Sequence, residues 1–278
     1  MQQEVVGFVG LGVMGGPMSR NLVRAGYEVI GFDAALERRE DAAAAGVTIA
    51  SSAEDVARAA TRTVISIVRD AMQTRDVIHG AHGVLAAGRT RLDLLVMSTL
   101  DPTTMWQLAD ELASHGITAI EAPVSGGRAG AEQGTLTIIT SGDGAAVERL
   151  RPLMEAMGRN VFYAGERPGM GQAAKLANQL MLTVNMLGVH EGLQIAAAQG
   201  VDERVLMDLL SVSTGGSWVT ENWDRVLGFW RDYVPGNEID IICKDVRSAL
   251  QEADQRRLSL PLTAVAFQRI RHVWEDRE

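Results

Sequence analysis

Val5-Val6-Gly7-Phe8-Val9-Gly10-Leu11-Gly12-Val13-Met14-Gly15 decides the fold. Its first five residues form an apolar, β-branched run that reads as a buried strand. The next six are G-x-G-x-x-G, and Pro17 to Ala25 reads as a helix closed by Gly26. Strand, glycine loop and helix in that order give each glycine a job. The first permits the tight turn, the second lets backbone approach a pyrophosphate, and the third lets helix and strand pack closely. Gly10, Leu11, Gly12, Val13, Met14 and Gly15 are therefore a candidate phosphate loop, with the free N–H groups at the helix start as donors. Glu28 to Asp33 reads as a second strand, and the carboxylate of Asp33 at its end would accept from ribose hydroxyls. Asp33 would repel a 2′-phosphate and Ala34-Ala35 offer no arginine to hold one. Arg38 and Arg39 lie a helix turn too far along, so NAD is expected in preference to NADP.

The same alternation continues outward. Leu36 to Ala45 reads as a helix, Val47 to Ala50 as a strand, and Ser52-Ala53-Glu54-Asp55 as a capping box opening the next helix. Thr63 to Val68, Leu92 to Met97, Ile117 to Glu121 and Thr135 to Thr140 read as further strands, and Ala145 to Met157 as a helix. Such a rhythm predicts a doubly wound α/β domain of Rossmann type with a mostly parallel sheet. After Val161-Phe162-Tyr163 the pattern changes. A Gly/Pro-bearing linker, Gly165 to Gly171, leads into a proline-free stretch from Gln172 to Gln199, which would make a helix of roughly 40 Å. That stretch is apolar nearly all round, so it is expected to be covered by another domain or subunit. The remainder is helical. The expected division is 1–163, an NAD-binding domain, and 164–278, an all-α domain for substrate and dimerisation.

Two further segments carry chemistry. In Glu121-Ala122-Pro123-Val124-Ser125-Gly126-Gly127, a serine hydroxyl and successive glycine N–H groups suit a small carboxylate, although an isolated S-G-G is more often a plain turn. In Gly169-Met170-Gly171-Gln172-Ala173-Ala174-Lys175-Leu176-Ala177-Asn178-Gln179, Lys175 sits on an otherwise apolar helix and shares a face with Asn178 and Gln179. A lysine there commonly snorkels or pairs with a carboxylate. Alternatively it is a general acid/base whose ammonium is disfavoured by burial and by a positive nicotinamide.

The glycine loop with Met14, the A-P-V-S-G-G segment, the G-x-G-x-x-x-K-x-x-N helix and Lys244-Asp245 resemble, in order and over nearly the whole chain, the four signatures of the β-hydroxyacid dehydrogenases. That family includes 3-hydroxyisobutyrate dehydrogenases, tartronate semialdehyde reductases and, more distantly, 6-phosphogluconate dehydrogenases. The resemblance implies that Ser125, Gly126 and Gly127 bind the substrate carboxylate and that Lys175 is the catalytic acid/base. It implies that Asn178 and Gln179 line the site, that Lys244 lies near the nicotinamide, and that Val68 and Ser98 flank the cofactor. It also implies a homodimer or homotetramer. Two departures stand out: Val68-Arg69-Asp70 replaces a usual Leu-Pro pair, and Gln179 replaces a frequent second Asn. Gly216 to Asn222 and Glu238 to Asp245 look most similar to members acting on small sugar acids of the threonate type, so a four-carbon polyhydroxy acid is expected to outperform 3-hydroxyisobutyrate. Rival readings are a non-catalytic NAD(P)-binding regulatory module and an imine reductase on the same fold. The retained Lys175 argues against both.

Composition narrows the partners. With 26 Lys+Arg against 35 Asp+Glu, the net charge of −9 disfavours nucleic acid and anionic membrane, but not a small anionic hydroxy acid held by local groups. The single cysteine, Cys243, fits a reducing compartment, and no run reaches the roughly 18 apolar residues of a membrane span, so a cytoplasmic enzyme is expected. His79 and His82 fall in a Gly-containing loop with no evident third ligand, and no metal is expected. Met72, Met105, Met154 and Met157 are expected in the core.

Overall fold

The computed structural model of the protein describes residues 4–270. The chain divides into two compact units, one ending at Lys175 and the other beginning at Leu176.

In the first unit the apolar runs become β1 (Val5–Val9), β2 (Glu28–Phe32), β3 (Thr48–Ile49), β4 (Thr63–Ser66), β5 (Asp93–Val96) and β6 (Thr118–Glu121). The pairs β1·β2, β1·β4, β2·β3, β4·β5 and β5·β6 are all parallel. Between them run α1 (Gly15–Arg24), α2 (Leu36–Ala44), α3 (Ala53–Ala59), α4 (Ala71–His79) and α5 (Pro102–Ser114). The unit is completed by β7 (Val124–Ser125), α6 (Gly127–Gln133), β8 (Leu136–Ser141), α7 (Gly144–Glu155) and β9 (Gly158–Gly165). Among the described residues the sheet runs β3-β2-β1-β4-β5-β6-β8-β7, with β9 also on β8.

Successive side chains of a strand point to opposite faces, and here both faces are apolar, as parallel sheets require. Phe8, Ile65, Leu95 and Ile120 join α1, α6 and α7 in one core. Val9, Val64, Leu94, Val96 and Ala119 join α3 and α5 in the other. Each such valine, leucine, isoleucine or phenylalanine side chain contributes about 1.5–3 kcal/mol on burial, so the two cores hold the sheet between its helix layers.

The second unit is helical. α8 (Met170–Ala198) begins in the first unit and continues into the second, followed by α9 (Glu203–Ser211), α10 (Trp218–Glu221), α11 (Trp223–Arg231), α12 (Glu238–Gln255) and α13 (Pro261–Arg269). Met186 and Leu193 of α8 pack with Trp223, Phe229, Ile242 and Val246 in its core. Trp230 satisfies its buried indole N–H on the Ile270 carbonyl at 2.8 Å. No helix among the described residues is long and apolar enough to cross a membrane.

The Rossmann-type sheet and the helical second half agree with the expectations, while several local readings change. Asp33 lies just beyond β2 rather than in it. The glycine-rich stretch after β6 contains β7 and α6, and β9 pairs parallel with β8 while β8 runs antiparallel to β6. Met105, Met154 and Met157 are buried, but Met72 is 75% exposed in the first turn of α4. His79 closes α4 rather than lying in a loop, and stands 3.5 Å from Glu111. Ser52 caps α3 by accepting from the Asp55 N–H at 3.1 Å, but its hydroxyl rather than its own backbone N–H meets the Asp55 carboxylate.

At the amino edge of the sheet, the buried Asp93 carboxylate is held by Arg149 through Nε at 3.0 Å and Nη2 at 2.9 Å, and by Arg62 Nε at 2.8 Å. Hydrogen bonds to a buried charge are worth about 1.5–3 kcal/mol. Arg149→Ala should therefore lower unfolding stability in urea by about 1.5–3 kcal/mol. A loss below about 0.5 kcal/mol, the range of an ordinary surface change, would show that Arg62 suffices.

Candidate functional site

Parallel pairing sends the chain out of β1, β2, β4, β5 and β6 at one common edge. The glycine loop leaves β1 there. A side chain on Gly10, whose φ is +95°, would overlap the Ile67 carbonyl, and one on Gly15 would overlap the Gly10 carbonyl. Gly12 differs: a Cβ there would meet nothing within 4 Å, so open space faces the middle of the loop. α1 starts at Gly15 with no side-chain cap and no acid in its first turn. By contrast α3, α4, α5 and α7 are each capped by Ser52, Asp70, Asp101 or Asp143. The positive end of α1 is thus left open to an external anion, and open backbone beside it fits a pyrophosphate.

Asp33, beyond β2, accepts from the Leu11 N–H at 2.7 Å and the Ala35 N–H at 2.8 Å. It anchors the loop through one oxygen and the start of α2 through the other, and each oxygen retains a lone pair for a further donor. Arg39 lies over the Phe32 ring at 5.8 Å, and Arg38 stands 3.9 Å from Asp41. Beyond β4 and β5, the Val68 N–H donates to Ser98 Oγ at 2.9 Å, which joins two of the expected cofactor contacts directly.

Beyond β6 the chain passes through Ser125 into Gly126 and Gly127, at φ +128° and +61°. Only glycine adopts such a pair readily. The reversal lets α6 start immediately after Ser125, without a side-chain cap.

Lys175 lies on α8 and is only 5% exposed. The buried stripe of α8 runs Gln172, Lys175, Leu176, Gln179, Thr183, Met186 at helical spacing, so it is more polar than the sequence suggested. The first turn of α8 is held by two buried side chains that sequence reasoning did not single out. Glu121, at the end of β6, accepts from the Gly169 N–H at 2.8 Å, the Gly171 N–H at 2.9 Å and the Ser141 hydroxyl. Burial pushes the Glu121 carboxyl above the usual range, opposed by the Ser141 hydroxyl and the backbone donors. Gln172 bonds the backbone at Ser98 and Leu100.

Within the second unit, Lys244 on α12 pairs with the buried Asp245 at 2.6 Å. Asp245 accepts from Gln179 Nε2 at 2.8 Å, and Gln179 Oε1 accepts from the Asn178 amide at 3.3 Å. Asn178, Gln179 and Lys244 thus belong to one network organised by Asp245. The Asp240 carboxylate is engaged by Tyr233 Oη at 3.1 Å and the Gly236 N–H at 2.8 Å. Trp218 is stacked against Arg225 at 5.6 Å. Among the described residues no group of three or more His, Cys, Asp or Glu stands together to hold a metal ion.

Comparison with known proteins agrees with this architecture. Residues 5–165 match the family described as the NAD binding domain of 6-phosphogluconate dehydrogenase, and residues 169–277 match the NAD-binding of NADP-dependent 3-hydroxyisobutyrate dehydrogenase. The chain is 36% identical to an NAD-dependent L-serine dehydrogenase of Pseudomonas aeruginosa, over 94% of this chain and 89% of that protein. It is 35% identical to a 3-hydroxyisobutyrate dehydrogenase of the same organism, over 94% and 89%. A solved structure of Mycobacterium tuberculosis 3-hydroxyisobutyrate dehydrogenase with L-serine superposes at a TM-score of 0.86 with 30% identity, covering 99% of this chain and 95% of that one. A glycine loop opening an uncapped helix at the carboxyl edge of a parallel sheet, a buried lysine on a helix bonded to the loop after β5, and relatives of this similarity over almost the full length converge: the chain belongs to the β-hydroxyacid dehydrogenase family and is an NAD-dependent hydroxyacid dehydrogenase.

Proposed function

We propose that the protein transfers a hydride between NAD and a small acid built as carboxylate–CHR–CH2OH, yielding the aldehyde in the oxidative direction. L-Serine and 3-hydroxyisobutyrate, named for its relatives, share that unit and differ only in R. The carrying observation is that Gly10–Gly15, Asp33, Val68 and Ser98 all follow parallel strands at one edge, that Ser125 ends β7 and leads into Gly126 and Gly127, and that the helix of Lys175 is tied to the ends of β5 and β6. The acid's carboxylate would rest on the Ser125 hydroxyl and the N–H groups of Gly126 and Gly127. Lys175 would take the proton from the hydroxyl on oxidation and return it on reduction. Asn178 and Gln179 would hold the substrate, with Lys244 at the nicotinamide end. Gly12, Val13 and Met14 would meet the pyrophosphate, and Asp33 the adenosine ribose. When bound, NAD supplies the hydride acceptor.

Lys175→Ala should lower kcat by roughly 10²–10⁴, the usual contribution of a positioned acid/base, and leave NADH affinity nearly unchanged. Wild-type turnover in that variant would make the lysine structural. In a panel of L-serine, 3-hydroxyisobutyrate, glycerate and threonate, kcat/KM should be highest for one of the first three, in which the CHR–CH2OH unit is bonded directly to the carboxylate; a clear advantage for threonate overturns the assignment. With the best acid, NAD should exceed NADP by about tenfold or more in kcat/KM, a difference of roughly 1.4 kcal/mol in transition-state stabilisation. An NADP preference contradicts the role given to Asp33.

The second unit exposes Met181 and Ile195 on α8 and Val205 and Leu209 on α9. Apolar surface of that extent favours association, and homo-oligomers are usually symmetric, so a homodimer or homotetramer is expected. Light scattering at micromolar concentration should give at least twice the chain mass; a monomer mass would contradict it.

A further inference from the structure

Gln172 is a fully buried amide, and both its ends are used. Its Nε2 donates to the Ser98 carbonyl at 3.0 Å, and its Oε1 accepts from the Leu100 N–H at 3.0 Å. These partners lie 74 and 72 residues away, in the loop leaving β5. A leucine or methionine would fill the same volume without desolvating an amide. The two bonds return only about 0.5–1.5 kcal/mol each in net stability. What a fully satisfied buried polar contact adds is a unique position.

That position matters because of what lies on either side. Ser98 Oγ accepts from the Val68 N–H at 2.9 Å, so bonded groups run without a gap from the loop after β4, through the loop after β5, to Gln172. Lys175 follows Gln172 by three residues on the same buried stripe of α8. Within one helical turn the backbone is stiff, so fixing Gln172 fixes the base of the lysine. Glu121 pins the same turn from the end of β6, through the N–H groups of Gly169 and Gly171.

We propose that Gln172 is a positioning residue for the reaction: it locks the helix that carries Lys175 to the β5 loop, and so sets how far the lysine stands from the cofactor edge. This rests on the reading of Lys175 as the acid/base. A reacting group misplaced by about 1 Å loses on the order of 10²-fold in rate, whereas a change in packing alone does not act through one side chain.

The test is a double-mutant cycle in the intact protein. Gln172→Met keeps the volume and removes both bonds. In the wild-type background it should lower kcat on the order of 10–100-fold. On Lys175→Ala it should change the residual rate by less than about twofold, because no lysine remains to be positioned. Arg149→Ala, at the opposite edge, supplies the stability control: it lowers the urea midpoint without lowering kcat. An equal fall in both backgrounds, or no fall in the wild type, overturns the proposal. If Lys175→Ala itself keeps wild-type turnover, the acid/base reading fails and the positioning role fails with it, a pattern distinct from the other two. Should Gln172→Met not fold, Gln172→Glu runs the same cycle, since it keeps the acceptor for Leu100 and loses the donor to Ser98.

Discussion

Parallel pairing of β1, β2, β4, β5 and β6 is the constraint on which the rest depends. A parallel strand must be followed by a crossover, and right-handed crossovers return the chain to the same starting edge. The loops after these five strands therefore leave from the opposite, carboxyl edge, which is where open α/β sheets bind ligands. Gly10, Asp33, Val68 and Ser98, scattered through the chain, all leave the sheet there because of this topology, and hydrogen bonds join Asp33 to the glycine loop and Ser98 to Val68. The two apolar cores on either face hold the sheet, and the edge is left to polar chemistry.

Electrostatics divides the helix starts by the same logic. α3, α4, α5 and α7 spend their first-turn N–H groups on Ser or Asp caps. α1 has none, and Asp33 grips the Leu11 N–H instead, four residues before the helix begins. A carboxylate in the cap position would have filled the place a phosphate needs. Placed at Leu11, it stiffens the loop and leaves the helix end to an incoming anion.

What was legible in the sequence was local. G-x-G-x-x-G, the acid read as closing the second strand, S-G-G and the lysine helix are short patterns, and the alternation of strand and helix announced a parallel sheet. What escaped was long-range or concealed by context. Gln172 looks like any polar residue opening a helix until its partners appear in another loop. Glu121 reads as a strand terminus, because nothing nearby in sequence reveals that it will receive the N–H groups of Gly169 and Gly171. α6 was hidden by Gly126 and Gly127, which read as turn residues but there cap and begin a helix. Met72 was assigned to the core on hydrophobicity alone, yet its place in the first turn of α4 turns it outward. α8 was read as apolar nearly all round apart from Lys175, Asn178 and Gln179, and its buried stripe also carries Gln172 and Thr183.

The central claim is that substrate carbon and NAD meet at this edge closely enough for direct hydride transfer, with the lysine taking only a proton. The most direct measurement uses the best acid substrate deuterated on its CH2OH carbon, followed by mass analysis of the reduced cofactor formed in ordinary water. Direct transfer predicts that the reduced nicotinamide carries the deuterium. Reduced cofactor without the label, its hydrogen drawn from solvent, would contradict the account.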